Sequence, residues 1–346
     1  MATFDVSPAD VLRALKDARS GDVLKLRGEF PSIHVRKRDL PQSFDEPVTL
    51  DLTEASITGW QFTEVDGLSF IGGVVRPAAG AVANGVQTYS HGMRFNNCRR
   101  ISSTGLRGRG PAAFEEGKPF VYGDGIAFWV LGGEDVTITN FDLRGFKNGV
   151  TLGKARRFRI SGGACADMRS DGIQLAQCWE GGVTGNVIHS TRKRDNEHPD
   201  GIQMWSRPDA PPTSDIEISG NVIVGSSQGI TGFNHVRNGV DDGGFDRLTI
   251  TGNEITVDHA QALAVYNGRD LTIADNVIRT LPGATSRASL NLKDCTDVKR
   301  AGNVVSAGAG KAAASDPVVA TAAMQDDLRG ALAAQAEALL AAILAA

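Results

Sequence analysis

Several features are scarce in this chain, and each scarcity excludes something. Proline numbers only 13 in 346 residues, so neither a collagen nor a proline-rich spacer is encoded. Strong basicity is missing: a net charge of −4 leaves no footprint for general nucleic-acid binding. Cys98, Cys165, Cys178 and Cys295 show no CxxC or metal-like spacing and are expected to be small buried hydrophobes. The start, Met1 to Pro8, lacks the basic and apolar segments of a secretory signal. No apolar run of membrane length occurs either, because Gln325, Asp326, Asp327, Arg329 and Glu337 interrupt the Ala-rich C-terminus. The expectation is a soluble chain, cytoplasmic as synthesised, or reaching a virion or the exterior by a non-classical route. Aromatic residues are few, at 6%.

Glycine, by contrast, is abundant, at 41 residues, which suits a fold that turns every few residues. Its placement is periodic. Val183-Thr-Gly-Asn186, Ile218-Ser-Gly-Asn221, Ile250-Thr-Gly-Asn253 and Ile273-Ala-Asp-Asn276 repeat one pattern, with degenerate copies at Ile138, Ile160 and Arg300-Ala-Gly-Asn303. The leading residues 138, 160, 183, 218, 250 and 273 are spaced by 22, 23, 35, 32 and 23. A second segment lies between the copies: Asp124-Gly-Ile126, Asn148-Gly-Val150, Asp171-Gly-Ile173, Asp200-Gly-Ile202 and Gln228-Gly-Ile230, with weaker members at His91, Gln261 and Ala288. Short strands recurring near 22 residues, with no helix between them, predict an all-β, right-handed parallel β-helix in which each strand pairs with its own copy one coil away. The row Asn186, Asn221, Asn253, Asn276 and Asn303 then becomes a side-chain ladder, its turns served by the tolerance of Asn for left-handed backbone.

Four regions are expected. Residues 1–21 form an N-terminal capping helix opening at Ser7-Pro8, with Val11, Leu12 and Leu15 inward. Residues 22–308 form the β-helix, and 309–323 a small-residue linker. A C-terminal helix over 324–346 either folds back over the last coil or builds a homotrimer.

Stacking turns equivalent positions into columns, and an outer column is a linear binding site. The residue before each Gly reads His91, Asp124, Asn148, Asp171, Asp200, Gln228, Gln261 and Ala288. Beyond it come Arg94, Gln174, Gln203 and Asn291, then Trp129, Trp205, Phe233, Tyr266 and Lys293. Amides, carboxylates and aromatic faces suit a polysaccharide, whose hydroxyls bond to amides and whose rings pack on aromatics; three Asp would repel nucleic-acid phosphate.

The sharpest candidates are Asp171 and Asp200, about 5 Å apart on consecutive coils. Either one keeps its proton and serves as a general acid beside a base, or a cation such as Ca²⁺ lies between them. Asp-Gly is also a common turn pair, and for Asp124 that reading is preferred. The insertion His189 to Pro199 arrives at Asp200, placing His198 two residues away, and His235 opens another insertion after Phe233. Arg192, Lys193 and Arg194 either pair with an acidic glycan or form a solvated loop. Candidate catalytic residues are therefore Asp171, Asp200 and His198; candidate binding residues are Asp124, Trp129, Gln174, Arg192, Arg194, Gln203, Trp205, Phe233, His235, Tyr266 and Lys293.

The repeat over residues 20–308 resembles the pectate-lyase-like superfamily of β-helix proteins, which includes polysaccharide lyases, polygalacturonase-like hydrolases, uronan epimerases and phage tailspikes. The resemblance implies action on a long, acidic polysaccharide by lyase or hydrolase chemistry, or glycan binding by a virion appendage without cleavage. Ser170-Asp171-Gly172 and Pro199-Asp200-Gly201 fall where polygalacturonase-like enzymes carry catalytic Asp motifs. Gln228 replaces the His of their Gly-His-Gly motif, and Asn291-Leu292-Lys293 keeps only the Lys of their Arg-Ile-Lys motif. A purely structural β-helix is the third reading, against which the exposed aromatics count.

Overall fold

The computed structural model describes residues 1–40, 43–78, 90–110, 125–190 and 198–306, together with a two-stranded ribbon of Val82–Ala83 and Val86–Gln87. Three parallel ladders wind into a right-handed β-helix. One coil illustrates the rest: Asn148–Gly153, Arg156–Ser161 and Ala164–Met168 each lie on a different face. The first face is a ten-stranded ladder running from Ile33–Arg36 and Trp60–Thr63 to Gln261–Tyr266 and Ser289–Lys293.

The sequence period and the structural register coincide on the second face. Ile138, Ile160, Val183, Ile218, Ile250 and Ile273 stand opposite one another on successive strands, all fully buried. Alternation does the sorting, since every second side chain of a strand faces the core. The core changes character along the axis. Early coils are filled by rings, with Phe62 stacked on Phe95 at 5.4 Å and Phe70 edge-on to both. Later coils use Ile, Val and Leu.

The Asn ladder is present. The backbone N–H and Nδ2 of Asn186 both donate to Oδ1 of Asn221, and Asn221, Asn253 and Asn276 repeat the arrangement onto Asn253, Asn276 and Asn303 at 2.9–3.1 Å. The left-handed residue is not the Asn, however. Gly185, Gly220, Gly252, Asp275 and Gly302, one position earlier, carry φ of +56° to +63°. The preceding residue makes the corner, and the Asn satisfies the backbone groups that the corner leaves buried.

The N-terminal cap differs from its expectation. Thr3–Val6 is a strand paired with Val23 to Leu26, and the helix is only Val11–Asp17. Ser7 Oγ donates to the Asp10 carboxylate, closing a separate turn ahead of the helix. Val11 and Leu15 are buried, whereas Leu12 is half exposed. The expected linker 309–323 and helix 324–346 lie outside the described residues. Among the described residues no helix is long and apolar enough to cross a membrane. Cys98, Cys165 and Cys178 are buried free thiols, as expected, and burial pushes their pKa values up; Cys295, expected to be buried too, is partly exposed on the last coil.

The X-Gly-Ile segments lie where the chain re-enters the first face. Their glycines are required by close approach. A Cβ on Gly172, Gly201 or Gly229 would come within 2.5–2.6 Å of Ile188, Ile223 or Ile255, which form a column on the third face. That leaves the residue before each Gly free to vary at the rim of the first face.

Candidate functional site

The first-face register builds the site. Asp200 stands opposite Gln228, and Ile173 opposite Ile202, which sets Asp171, just ahead of its strand, beside Asp200 on the adjacent coil. The outward column reads His34, Gln61, Arg94, Trp129, Thr151, Gln174, Gln203, Thr231, Ala264 and Asn291. Two sequence alignments are thereby corrected. Trp129 belongs with Arg94 and Gln174, and Ile126, not Asp124, pairs with Asn148. Gln261 pairs with Ser289, not Ala288, because a bulge follows. In both places the strand begins two or one residues away from the motif's expected position, since an inserted segment ends there. Asp124, Arg192, Lys193 and Arg194 lie outside the described residues.

The centre is a network of amides over two carboxylates. Gln174 Nε2 donates to Asp171 Oδ2 and to Gln203 Oε1, both at 3.0 Å. Gln203 Nε2 donates to Asp200 Oδ2 at 2.9 Å, and Thr231 Oγ1 to Asp200 Oδ1 at 2.6 Å. The backbone N–H of Asp200 donates to Asp171 Oδ1 at 3.1 Å, joining the two coils. Asn148 Nδ2 extends the network toward Thr151 and Gln174. Beside it, the buried Asn148 Oδ1 and Gln228 Oε1 have no hydrogen-bond donor among the described residues.

Both carboxylates are withdrawn from solvent, Asp171 to 3% exposure and Asp200 to 0%. Burial pushes the pKa of Asp171 up to about 6. Burial, reinforced by the neighbouring charge of Asp171, raises that of Asp200 well above the usual carboxylate range. Both shifts favour the protonated form of the pair.

The donor set does not fit Ca²⁺. Each carboxylate oxygen already accepts an N–H or O–H, whereas Ca²⁺ takes six to eight oxygen ligands. Among the described residues no group of three or more His, Cys, Asp or Glu side chains is gathered as for a metal.

The remaining candidates divide. His198 is largely exposed, with Nδ1 4.0 Å from Asp200 Oδ2. His235 is exposed beside a small hairpin, Val236–Arg237 with Val240–Asp241, and makes no hydrogen bond or ion pair to either Asp among the described residues. Trp205, Phe233 and Tyr266 come from three successive coils, Phe233 and Tyr266 edge to face at 5.1 Å. Lys293 lies 5.8 Å over Tyr266, and Arg207 lies 4.2 Å over Trp205. Sequence reasoning missed the two earliest strands, with His34 and Gln61, because they lack the X-Gly-Ile signature; their alternation, Ile33-His-Val35 and Trp60-Gln-Phe62, was the available signal.

No family model and no curated protein matches the chain. Solved structures do resemble it. The Dettilon tailspike protein shares 15% identity at a TM-score of 0.54, covering 86% of this chain and 62% of the tailspike chain. PfbA, a surface adhesin of Streptococcus pneumoniae, shares 11% identity at 0.54, covering 87% of this chain and 91% of PfbA. DFA-IIIase from Arthrobacter chlorophenolicus A6, solved with DFA-III, shares 12% identity at 0.50, covering 90% and 82%. At such identities the likeness is one of fold alone, and this chain shares the right-handed parallel β-helix of those structures.

Proposed function

We propose that the chain binds a long, acidic polysaccharide along its first face and cleaves it beside Asp171 and Asp200, by hydrolysis. The observation that carries this reading is the buried carboxyl pair on adjacent coils, linked by the Asp200 N–H to Asp171 Oδ1 and shifted by burial toward the protonated form. Asp200, whose pKa burial and the neighbouring charge of Asp171 both raise, donates its proton to the glycosidic oxygen as the C–O bond breaks. Asp171 attacks the anomeric carbon, and water then releases the sugar, returning the proton to Asp200. A separation of about 5 Å suits this retaining course. Gln174, Gln203 and Trp205 are the surface that the sugars meet. The tailspike and DFA-IIIase folds are compatible with such a role.

A second reading, a non-cutting glycan-binding appendage, is favoured by the complete burial of Asp200 beneath Gln203 and Thr231. A panel of acidic polysaccharides, assayed for reducing ends and for unsaturated-uronate absorbance, separates the readings. Reducing ends without absorbance, lost about 10²-fold or more in Asp200→Asn while binding persists, support hydrolysis. Absorbance that depends on His198 would replace it with elimination. Binding without either signal leaves the appendage reading.

A further inference from the structure

The early coils of the same face carry a cluster that the carboxyl pair does not use. His34, Gln61 and Arg94 occupy one column on successive strands, and Trp129 follows Arg94. Arg36 lies two residues beyond His34, and His91 opens the Arg94 strand. The Arg94 guanidinium lies 4.2 Å over the Trp129 ring and donates from Nε to Asn96 Oδ1 at 3.2 Å. Both contacts fix its plane, and its two terminal nitrogens have no acceptor among the described residues. An Arg36 terminal nitrogen lies 3.4 Å from His34 Nδ1, leaving His34 Nε2 to donate to Thr63 Oγ1 at 3.0 Å.

Many arginines elsewhere on the coils are paired with carboxylates, as Arg100 is with Asp66, Arg156 with Glu180 and Arg247 with Asp215. Among the described residues no carboxylate lies within ion-pair distance of the Arg36 or Arg94 guanidinium; Asp39 accepts from the Arg36 backbone N–H at 2.8 Å instead. Planar guanidinium groups with free forks are matched to carboxylate or sulfate oxygens.

We propose that His34, Arg36, His91, Arg94 and Trp129 form a distinct anion subsite, taking a carboxylate or sulfate substituent of the glycan while Trp129 carries its sugar ring. Resting on the polysaccharide reading, this deepens it. Arg94 and Gln174 are three strand spacings apart, ~14 Å, so one oligosaccharide reaches both the subsite and the carboxyl pair. The acidic sugar is thus held by fixed cations at one end while the reacting bond lies over the carboxyl groups at the other.

The test uses the full chain and its six His imidazoles, followed by ¹H–¹⁵N NMR during titration with sodium glucuronate, sodium sulfate or glucose at constant ionic strength. Glucuronate or sulfate should move His34 and His91 saturably, glucose should not, and Arg94→Gln or the exposed Arg36→Gln should weaken the response about tenfold or more. Response to glucuronate alone assigns the anion as carboxylate; response to sulfate alone assigns it as sulfate. Imidazoles that stay still, or that respond equally in both variants, overturn the subsite. An Arg94-dependent response with no polysaccharide bound keeps the subsite and removes the polysaccharide reading. Polysaccharide bound with unchanged affinity by both variants does the reverse.

Discussion

Gln174 and Gln203 lie one coil apart, and a single amide nitrogen of Gln174 joins Gln203 Oε1 to the Asp171 carboxylate, 3.0 Å from each. The half-buried amides are thereby held in one orientation by the buried charge behind them. Their rigidity comes from below.

Removing either amide should therefore weaken glycan binding while leaving the coil intact. Gln203→Ala is expected to reduce affinity for a bound acidic polysaccharide about tenfold in affinity electrophoresis. Unchanged mobility shifts would move the binding surface off this column.

The carboxyl pair should leave a signature in the pH dependence of stability. Asp171, with a native pKa near 6 against about 3.9 unfolded, binds more protons when folded between those values. Its favourable contribution is complete below about pH 4 and is lost as pH rises through 6; Asp200, shifted the same way, extends the loss upward. Compared with an Asp171→Asn/Asp200→Asn protein, the wild type should lose up to about 3 kcal/mol from Asp171 alone between pH 4 and 7. Urea denaturation across that range measures it, and parallel profiles would show that the pair is not desolvated.

In the Asn ladder, Asn221 accepts from Asn186 and donates to Val183 O, Ser219 O and Asn253 Oδ1, with no solvent exposure. Asn221→Ala strands the backbone N–H of Asn186 and a buried carbonyl, so a loss of about 3 kcal/mol is expected in chemical denaturation. A cost below about 1 kcal/mol would mean that water replaces the amide.

Gly201→Ala tests the corner. The added methyl would lie 2.6 Å from Ile223 Cγ2 and 3.0 Å from Gly229 O, and should cost about 1–3 kcal/mol. Combined with Ile223→Ala, the two losses should sum to less than their separate values. Strict additivity would place the strain in the backbone instead.

Much of this architecture was legible in the sequence because a stacked fold writes its register as a period. The row Ile138 to Ile273 and the Asn ladder needed only spacing to be aligned. Legibility failed where an insertion ends against a strand: Asp124-Gly-Ile126 carries the motif letters, yet Trp129 takes the position opposite Arg94. The candidate site was partly readable. Asp171 with Asp200, and Gln174 with Gln203, follow from register alone. That both carboxyl groups would be sealed beneath those amides did not, since burial depends on side chains from three coils, Thr231 included. His34 and Arg36 were overlooked because their coil has no Gly-Ile beacon, although their strand alternation was plain.

The ten first-face strands repeat at one interval, and each contacts mainly the strand before and after it. Such a surface works as a ruler. Adding or deleting a whole coil lengthens or shortens it by one graduation, about 4.8 Å, without redesign of any interior layer. The span between Arg94 and Gln174 is therefore a heritable length, adjustable in discrete steps by duplication rather than by point substitution.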